Sequence, residues 1–126
     1  MPQFLTLDDV LETHAFQIAS YGGSEGVRDL GLLESALAQP EAGFGDQYLH
    51  ADIFEMASAY LYHLVMNHPF IDGNKRVGLE SALIFLEINA VSMNASDDEL
   101  VDLVLNTATG VTHKPEIADF FRSHSV

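Results

Sequence analysis

Apolar residues recur along this chain at helical spacing, and no stretch carries the sustained strict alternation that a half-buried strand requires. Two stretches set the frame. From Asp52 to Met66, the residues Ile53, Phe54, Met56, Ala57, Tyr60, Leu61, Leu64 and Val65 occupy so wide an arc that the helix they predict must be central. From about Asn74 to Asn89, Val77, Leu79, Ala82, Leu83, Phe85, Leu86 and Ile88 predict a second buried helix. An all-α fold follows, with a short polar segment held between its two core helices.

Four more helices complete the expected bundle. Thr6 is placed to cap a first helix with Asp8 and Asp9 in its first turn and Leu7, Val10, Leu11, His14, Ala15 and Ile18 on one stripe, ending at Tyr21-Gly22-Gly23. A short helix from about Asp29 to Gln39 turns Leu30, Leu33 and Leu37 inward and is barred by Pro40. Ser96-Asp97-Asp98-Glu99 has the pattern of a capping box, is followed by Val101, Leu103, Val104 and Leu105, and Gly110 is placed to end that helix. The last helix starts near Pro115 and buries Ile117, Phe120 and Phe121. Between Glu41 and Ala51, Gly43 and Gly45 with Phe44 and Tyr48 suit a loop or a short two-stranded flap.

The 126 residues make one domain, 1–126, since a domain takes roughly 100–200 residues. Five Lys and Arg against 19 Asp and Glu give a formal charge of −14, which argues against direct nucleic-acid binding or an anionic-membrane role resting on positive charge. No apolar run approaches a membrane span of ~20 residues, Met1 to Asp9 do not read as a signal peptide, and the expected location is cytoplasmic. Without cysteine there are no disulfides, zinc–thiolate sites or thiol nucleophiles. Chemistry must come from His, carboxylates, hydroxyls or the few cations.

His68-Pro69-Phe70-Ile71-Asp72-Gly73-Asn74-Lys75-Arg76 gathers a base, an acid and two of the cations within nine residues. Pro69 disfavours helix at His68 and Asp72-Gly73 signals a turn, so the segment is a tight loop running into a helix N-terminus, where free amides and the positive dipole end favour phosphate. Lys75 and Arg76 sit where that dipole makes positive charge unfavourable, so an anion should compensate them. Asp72 is a suitable hard oxygen ligand for Mg²⁺, which takes one or two carboxylates plus substrate phosphate oxygens. His68 is a natural general base, because an ordinary imidazole pKa of about 6.5 lets it take a hydroxyl proton at cellular pH. Together these imply Mg²⁺-dependent transfer from a nucleotide phosphate to a hydroxyl. Seven specified positions at one in twenty each match by chance about once in 10⁹ windows.

The segment resembles the Fic-domain signature His-Pro-Phe-x-Asp/Glu-Gly-Asn-Gly-Arg, which continues with two residues and a second Arg. Here Lys75 replaces the Gly between Asn and Arg, and Leu79 stands where the second Arg would be. Both departures match the Doc (death-on-curing) toxin branch, whose motif ends Asn-Lys-Arg. The resemblance extends to Tyr21-Gly22-Gly23, Arg28-Asp29-x-Gly31-x-Leu33 and the Ala108-Thr109-Gly110 turn. It implies a compact Fic-type bundle of about six helices with a short flap.

The resemblance also implies roles. His68 deprotonates the acceptor hydroxyl, Asp72 holds Mg²⁺, and Lys75 and Arg76 act in transfer. The ATP-binding set is Phe70, Gly73, Asn74, Lys75 and Arg76, with Phe70 more an anchor of the loop than a substrate contact. Lys75 fills the space that an AMP-transferring pose needs, so the nucleotide sits reversed with its γ-phosphate at the motif, and the reaction is phosphorylation. The flap from Gly43 to Tyr48 would pair with an extended segment of the target. By resemblance the target is a Thr of elongation factor Tu, modification arrests translation, and a Phd-like antitoxin inhibits by folding a C-terminal helix into a groove. Ser20 to Glu25-Gly26 is one residue out of register with the inhibitory helix of some Fic proteins, which favours inhibition in trans. AMP transfer, or a non-catalytic member that binds only antitoxin and operator, are the alternatives.

Other features carry less. His50, His113 and His124 read as surface residues and His14 as a satisfied buried imidazole, while Met56, Met66 and Met93 read as core or loop filler. His63 and His68, five apart, do not share a helical face. Arg28 and Glu34 either shape the site or form a structural ion pair.

Overall fold

The computed structural model describes all 126 residues as six helices and one small hairpin. Helix α1 (Leu7–Tyr21) starts at Thr6 in a capping box with Asp9, and Gly22, at φ 84°, ends it. Asp29 caps α2 (Leu30–Ala38) by accepting from the Leu32 amide at 2.9 Å. The hairpin pairs β1 (Gly43–Phe44) with β2 (Gln47–Tyr48) antiparallel, Gly43 opposite Tyr48. A side chain at Gly43 would meet the Gln47 carbonyl at 2.3 Å, so only glycine lets these strands close. Helices α3 (Ile53–Asn67), α4 (Asn74–Ile88), α5 (Asp97–Ala108) and α6 (Lys114–Ser123) complete the chain.

Helix α3 is central and packs against α2, α4, α5 and α6. Its Met56, Ala57, Tyr60, Leu61, Leu64 and Val65 are buried with Val77, Ala82, Phe85 and Leu86 of α4 in one core cluster. The two core helices approach closely at Gly78, where a Cβ would lie 2.9 Å from Val65 Cγ2 and 3.3 Å from the Leu61 carbonyl. Tyr60, fully buried, accepts from the Leu5 amide at 2.9 Å and ties the N-terminal segment over the core. No helix is long and apolar enough to cross a membrane.

Several side chains depart from the predicted stripes. On α1, Ala15 is exposed and Gln17 is buried in its place, because the buried face follows Val10, His14, Gln17 and Ile18. Leu30, Ile88, Val101 and Leu105 face solvent, each being an apolar residue on the outer side of its helix. Two histidines expected at the surface are not there. His50 is buried with its Nε2 unpartnered, and His124 is half-buried, stacked on Phe120 and paired with Glu99 at 2.8 Å.

Candidate active site

The loop from His68 to Gly73 joins α3 to α4, so the two central helices fix both its ends. It opens with His68 in the left-handed region at φ 51° and ψ 52°, a conformation that costs a non-glycine residue about 1 kcal/mol or more. Arg28 maintains that turn. Its Nε donates to the His68 carbonyl at 2.7 Å and its second guanidinium nitrogen to the Asn67 carbonyl at 3.1 Å, covering the negative end of α3. The main chain adds a strap: the amides of Arg28 and Asp29 donate to the Pro69 carbonyl, and the Ile71 amide donates to the Gly26 carbonyl.

Phe70 and Asn74 brace the loop from inside. Phe70 is fully buried, and its ring stacks on His14 with centroids 3.8 Å apart. It therefore cannot touch a nucleotide, which corrects its place in the expected ATP-binding set. The amide side chain of Asn74 accepts from the Phe70 N–H at 2.9 Å and donates to the Phe70 carbonyl at 3.0 Å. The Asn74 side chain is thus a positioning group, its oxygen and nitrogen both engaged by main chain, and only the Asn74 amide is left for a phosphate. His14 Nε2 donates to the Asp72 carbonyl at 2.8 Å, so α1 also holds the loop. Its burial as a satisfied imidazole was legible in the sequence.

The groups left facing outward are the reactive ones. Asp72 is exposed, and its carboxylate accepts from the amides of Gly73 at 2.8 Å and Ser24 at 3.2 Å. Those two hydrogen bonds, the Ser24 one foremost, hold its pKa below the usual carboxylate value, with Arg76 adding to the effect. Gly23 makes this possible, because a Cβ there would lie 2.6 Å from Asp72 Oδ2. The amides of Asn74, Lys75 and Arg76 precede the first helical bond of α4, from Val77 to Gly73, and have no carbonyl partner. Lys75 takes part in no ion pair. Arg76 rests over the Tyr21 ring at 5.3 Å and reaches the Gly22 carbonyl at 3.3 Å.

One cleft of about 590 Å³ collects these groups: His68, Asp72, Gly73, Asn74, Lys75 and Arg76 line it, with Val65, Met66 and Ala108. All of the expected site except Phe70 is thus brought together. Met66 is an exposed wall of the cleft rather than filler. Leu79, one turn along α4, is half-buried against the core and adds no second cation. Glu34 forms no ion pair, so of the two alternatives for Arg28 the structure selects the shaping of the site.

The model of the Fic/DOC family matches residues 4–86, which span α1 to α4 and include the whole loop. The chain belongs to this family. As a Fic/DOC protein it is similar to the protein kinase Doc of Escherichia phage P1, with 35% identity over 115 residues, 91% of this chain and 90% of that one. It is also similar to the toxin Doc of Mycolicibacterium smegmatis, with 36% identity over 111 residues, 86% of this chain and 83% of the relative. Both likenesses extend past the matched family region into α5, since each covers far more residues than 4–86 contains. No group of three or more His, Asp or Glu side chains is placed to hold a metal. A Mg²⁺ ion at Asp72 would therefore draw its other ligands from phosphate oxygens and water, a coordination this ion favours.

Proposed function

We propose that this chain is the toxin of a toxin–antitoxin pair and that it acts as a Mg²⁺- and ATP-dependent protein kinase on a Ser or Thr hydroxyl. The observation that carries the reading is the cleft itself, in which an exposed base, a carboxylate held ionised, an unpaired lysine and three free amides surround one volume. His68 takes the proton of the acceptor hydroxyl as its oxygen bonds to the γ-phosphorus and the bond from that phosphorus to the bridging oxygen breaks, releasing ADP. Lys75, Arg76 and the first-turn amides bind the phosphate and take up charge that develops in transfer. Asp72 would hold the metal, which when bound would offset the charge of the phosphate.

Phosphoryl transfer is favoured over AMP transfer by two side chains. Lys75 brings a cation and bulk to the start of α4, and Leu79 packs toward the core where a second Arg would clamp the distal phosphates. The names carried by the two relatives support the toxin and kinase assignments. For the acceptor we take elongation factor Tu, as the likeness to Doc implies, with the exposed hairpin at Phe44 and Tyr48 guiding the target chain by strand addition.

The partner that restrains the toxin is proposed to be a Phd-like antitoxin whose C-terminal segment docks as a helix. The groove between α1 and α4 suits it: Phe16, Ile84 and Ile88 line its apolar part, Asp9, Glu12 and Glu80 are its acidic residues, and its volume is about 450 Å³. An amphipathic helix with basic flanks complements that surface.

Intact mass of elongation factor Tu after incubation with the protein, ATP and Mg²⁺ tests the activity, beside a His68→Ala control. Gain of one phosphate that vanishes in the control is expected. Gain of AMP would move the assignment to the transferase reading. Absence of any change, with ATP still bound, would favour a member that only binds antitoxin and operator.

A further inference from the structure

A second polar cleft lies on the far side of α3, between that helix and α6. It has a volume of about 390 Å³, and His50, Glu55, Ser58, Lys114, Asp119 and Arg122 contribute to its walls. Lys114 is the first residue of α6, where the helix dipole disfavours positive charge. Its Nζ donates to His63 Nε2 at 3.0 Å and lies 5.8 Å from the centre of the Tyr62 ring. No carboxylate pairs with it. Arg122 takes both Asp52 at 2.9 Å and Asp119 at 2.7 Å, and Glu55, in the wall of the same cleft, forms no ion pair with the lysine.

The contact with His63 requires a neutral imidazole that accepts the amine's hydrogen bond. Burial, with Lys114 and His50 nearby, pushes His63 down to about 4, so it stays neutral at physiological pH. Desolvation likewise lowers Lys114 from the ordinary lysine value. His50, 7% exposed, stands in the wall of the same cleft with its buried Nε2 unpartnered.

We propose that Lys114 is an acylation site, a nucleophilic amine oriented by His63 in the α3–α6 cleft that accepts an acyl group from a small activated donor such as an acyl phosphate. The neutral amine attacks the acyl carbon, the N–C bond forms and the C–O bond to phosphate breaks. Phosphate leaves with the electron pair and carries away the amine proton, so the products are an amide at Lys114 and inorganic phosphate. His63 is a positioning residue here: it accepts the hydrogen bond that fixes the amine toward the cleft. No step depends on the cleft at His68, which Val65 and Met66 line on the C-terminal side of His63.

The chain has only two lysines, Lys75 and Lys114, so each reports on the other. Full-length protein is incubated with acetyl phosphate at about pH 7.5, and acetylation at each lysine is timed by peptide mass. Desolvation that lowers an amine's pKa raises the share of it present as free base, and the hydrogen bond to His63 holds that amine toward the cleft. Lys114 is therefore expected to react severalfold faster than Lys75, and equal or slower reaction overturns the proposal. His63→Gln, which keeps an acceptor, is expected to retain the excess, and His63→Leu to lose it. If the Leu variant does not fold, the pH profile of the unmodified protein decides. Acetylation of Lys114 must then set in at lower pH than that of N-acetyl-lysine amide, and coincident profiles overturn the assignment.

Discussion

Arg28 spends its guanidinium on two main-chain carbonyls, and in doing so it determines where His68 points. A left-handed His68 is unfavourable alone and persists only because its surroundings over-determine it. Arg28→Ala should therefore release the base without touching phosphate or metal, and a misplacement of about 1 Å can lower a rate by ~100-fold. The expected result is a 10- to 100-fold loss of transfer rate with ATP affinity unchanged, read from initial rates across ATP concentrations. Arg28→Lys should recover little, because an ammonium cannot span both carbonyls in one plane. A rate within twofold of the parent protein would show that His68 holds its place unaided. Arg28 also marks a limit of sequence reading. Its position before Asp29 is visible in the chain, but a contact across about forty residues has no local signature, and shaping and ion-pairing looked alike. The opposite holds for His68, Asp72, Lys75 and Arg76, whose adjacency in sequence is itself the geometry. Phe70 and Asn74 lie in the same run, yet their side chains turn inward, and the motif does not distinguish inward from outward.

At the level of helices, the two apolar stretches and the capping residues Thr6, Asp29 and Ser96 announce the bundle almost to the residue. The misplaced side chains, Ala15 and Gln17 or Leu30, share a cause. A short or weakly apolar helix has several stripes of similar hydrophobicity, and the neighbour it packs on chooses among them. A glycine inside a helix is ordinarily a weak point, but Gly78 stands where α3 approaches α4 too closely for a Cβ. Gly78→Ala should cost about 1–3 kcal/mol in spite of alanine's better helix propensity, measured as a lower urea midpoint. A stabilised variant would mean that Val65 and α3 yield without strain. The α3–α6 contact has a pH signature of its own. His63 titrates near 4 in the folded chain against about 6.5 unfolded, so between those values the unfolded state binds the extra proton. Acid thus favours unfolding through His63, and His50, also lowered by burial, acts in the same sense. His124 opposes them, because the Phe120 carbonyl and Glu99 raise its value and its contribution fades as pH rises. Comparing melting temperatures of the parent and His63→Gln from pH 7 to 4 isolates the effect. The parent should lose several degrees more than the variant, on the scale of about 4 °C per kcal/mol. Equal losses would show that His63 is protonated in the fold.

Across the whole molecule the charge is distributed unevenly. Of the five cations, Arg28, Lys75 and Arg76 lie at the His68–Gly73 loop, Arg122 is paired with two aspartates and Lys114 stands in the α3–α6 cleft, so carboxylates dominate the remaining surface. The net charge of −14 was legible from composition, but its arrangement was not, since only the fold shows that Asp9 and Glu12 of α1 meet Glu80 of α4 beside one groove. On the proposed function that arrangement would separate two tasks: an anionic nucleotide would find its local cations in one cleft, and a basic partner would be drawn to the acidic groove. The two kinds of contact in the groove should then appear in different rate constants. Carboxylates such as Asp9 and Glu12 act at a distance and speed encounter, while Phe16, 65% exposed and part of the groove wall, acts only once a helix is seated. Association with a Phd-like antitoxin, followed by surface plasmon resonance, should slow at least tenfold between about 50 mM and 500 mM salt with little change in dissociation. Phe16→Ala should do the reverse, leaving association nearly constant and raising the dissociation rate at least tenfold, as loss of a buried aromatic anchor does. Salt-independent association together with a silent Phe16→Ala would place the antitoxin on another surface, while leaving the cleft at His68 and its chemistry untouched.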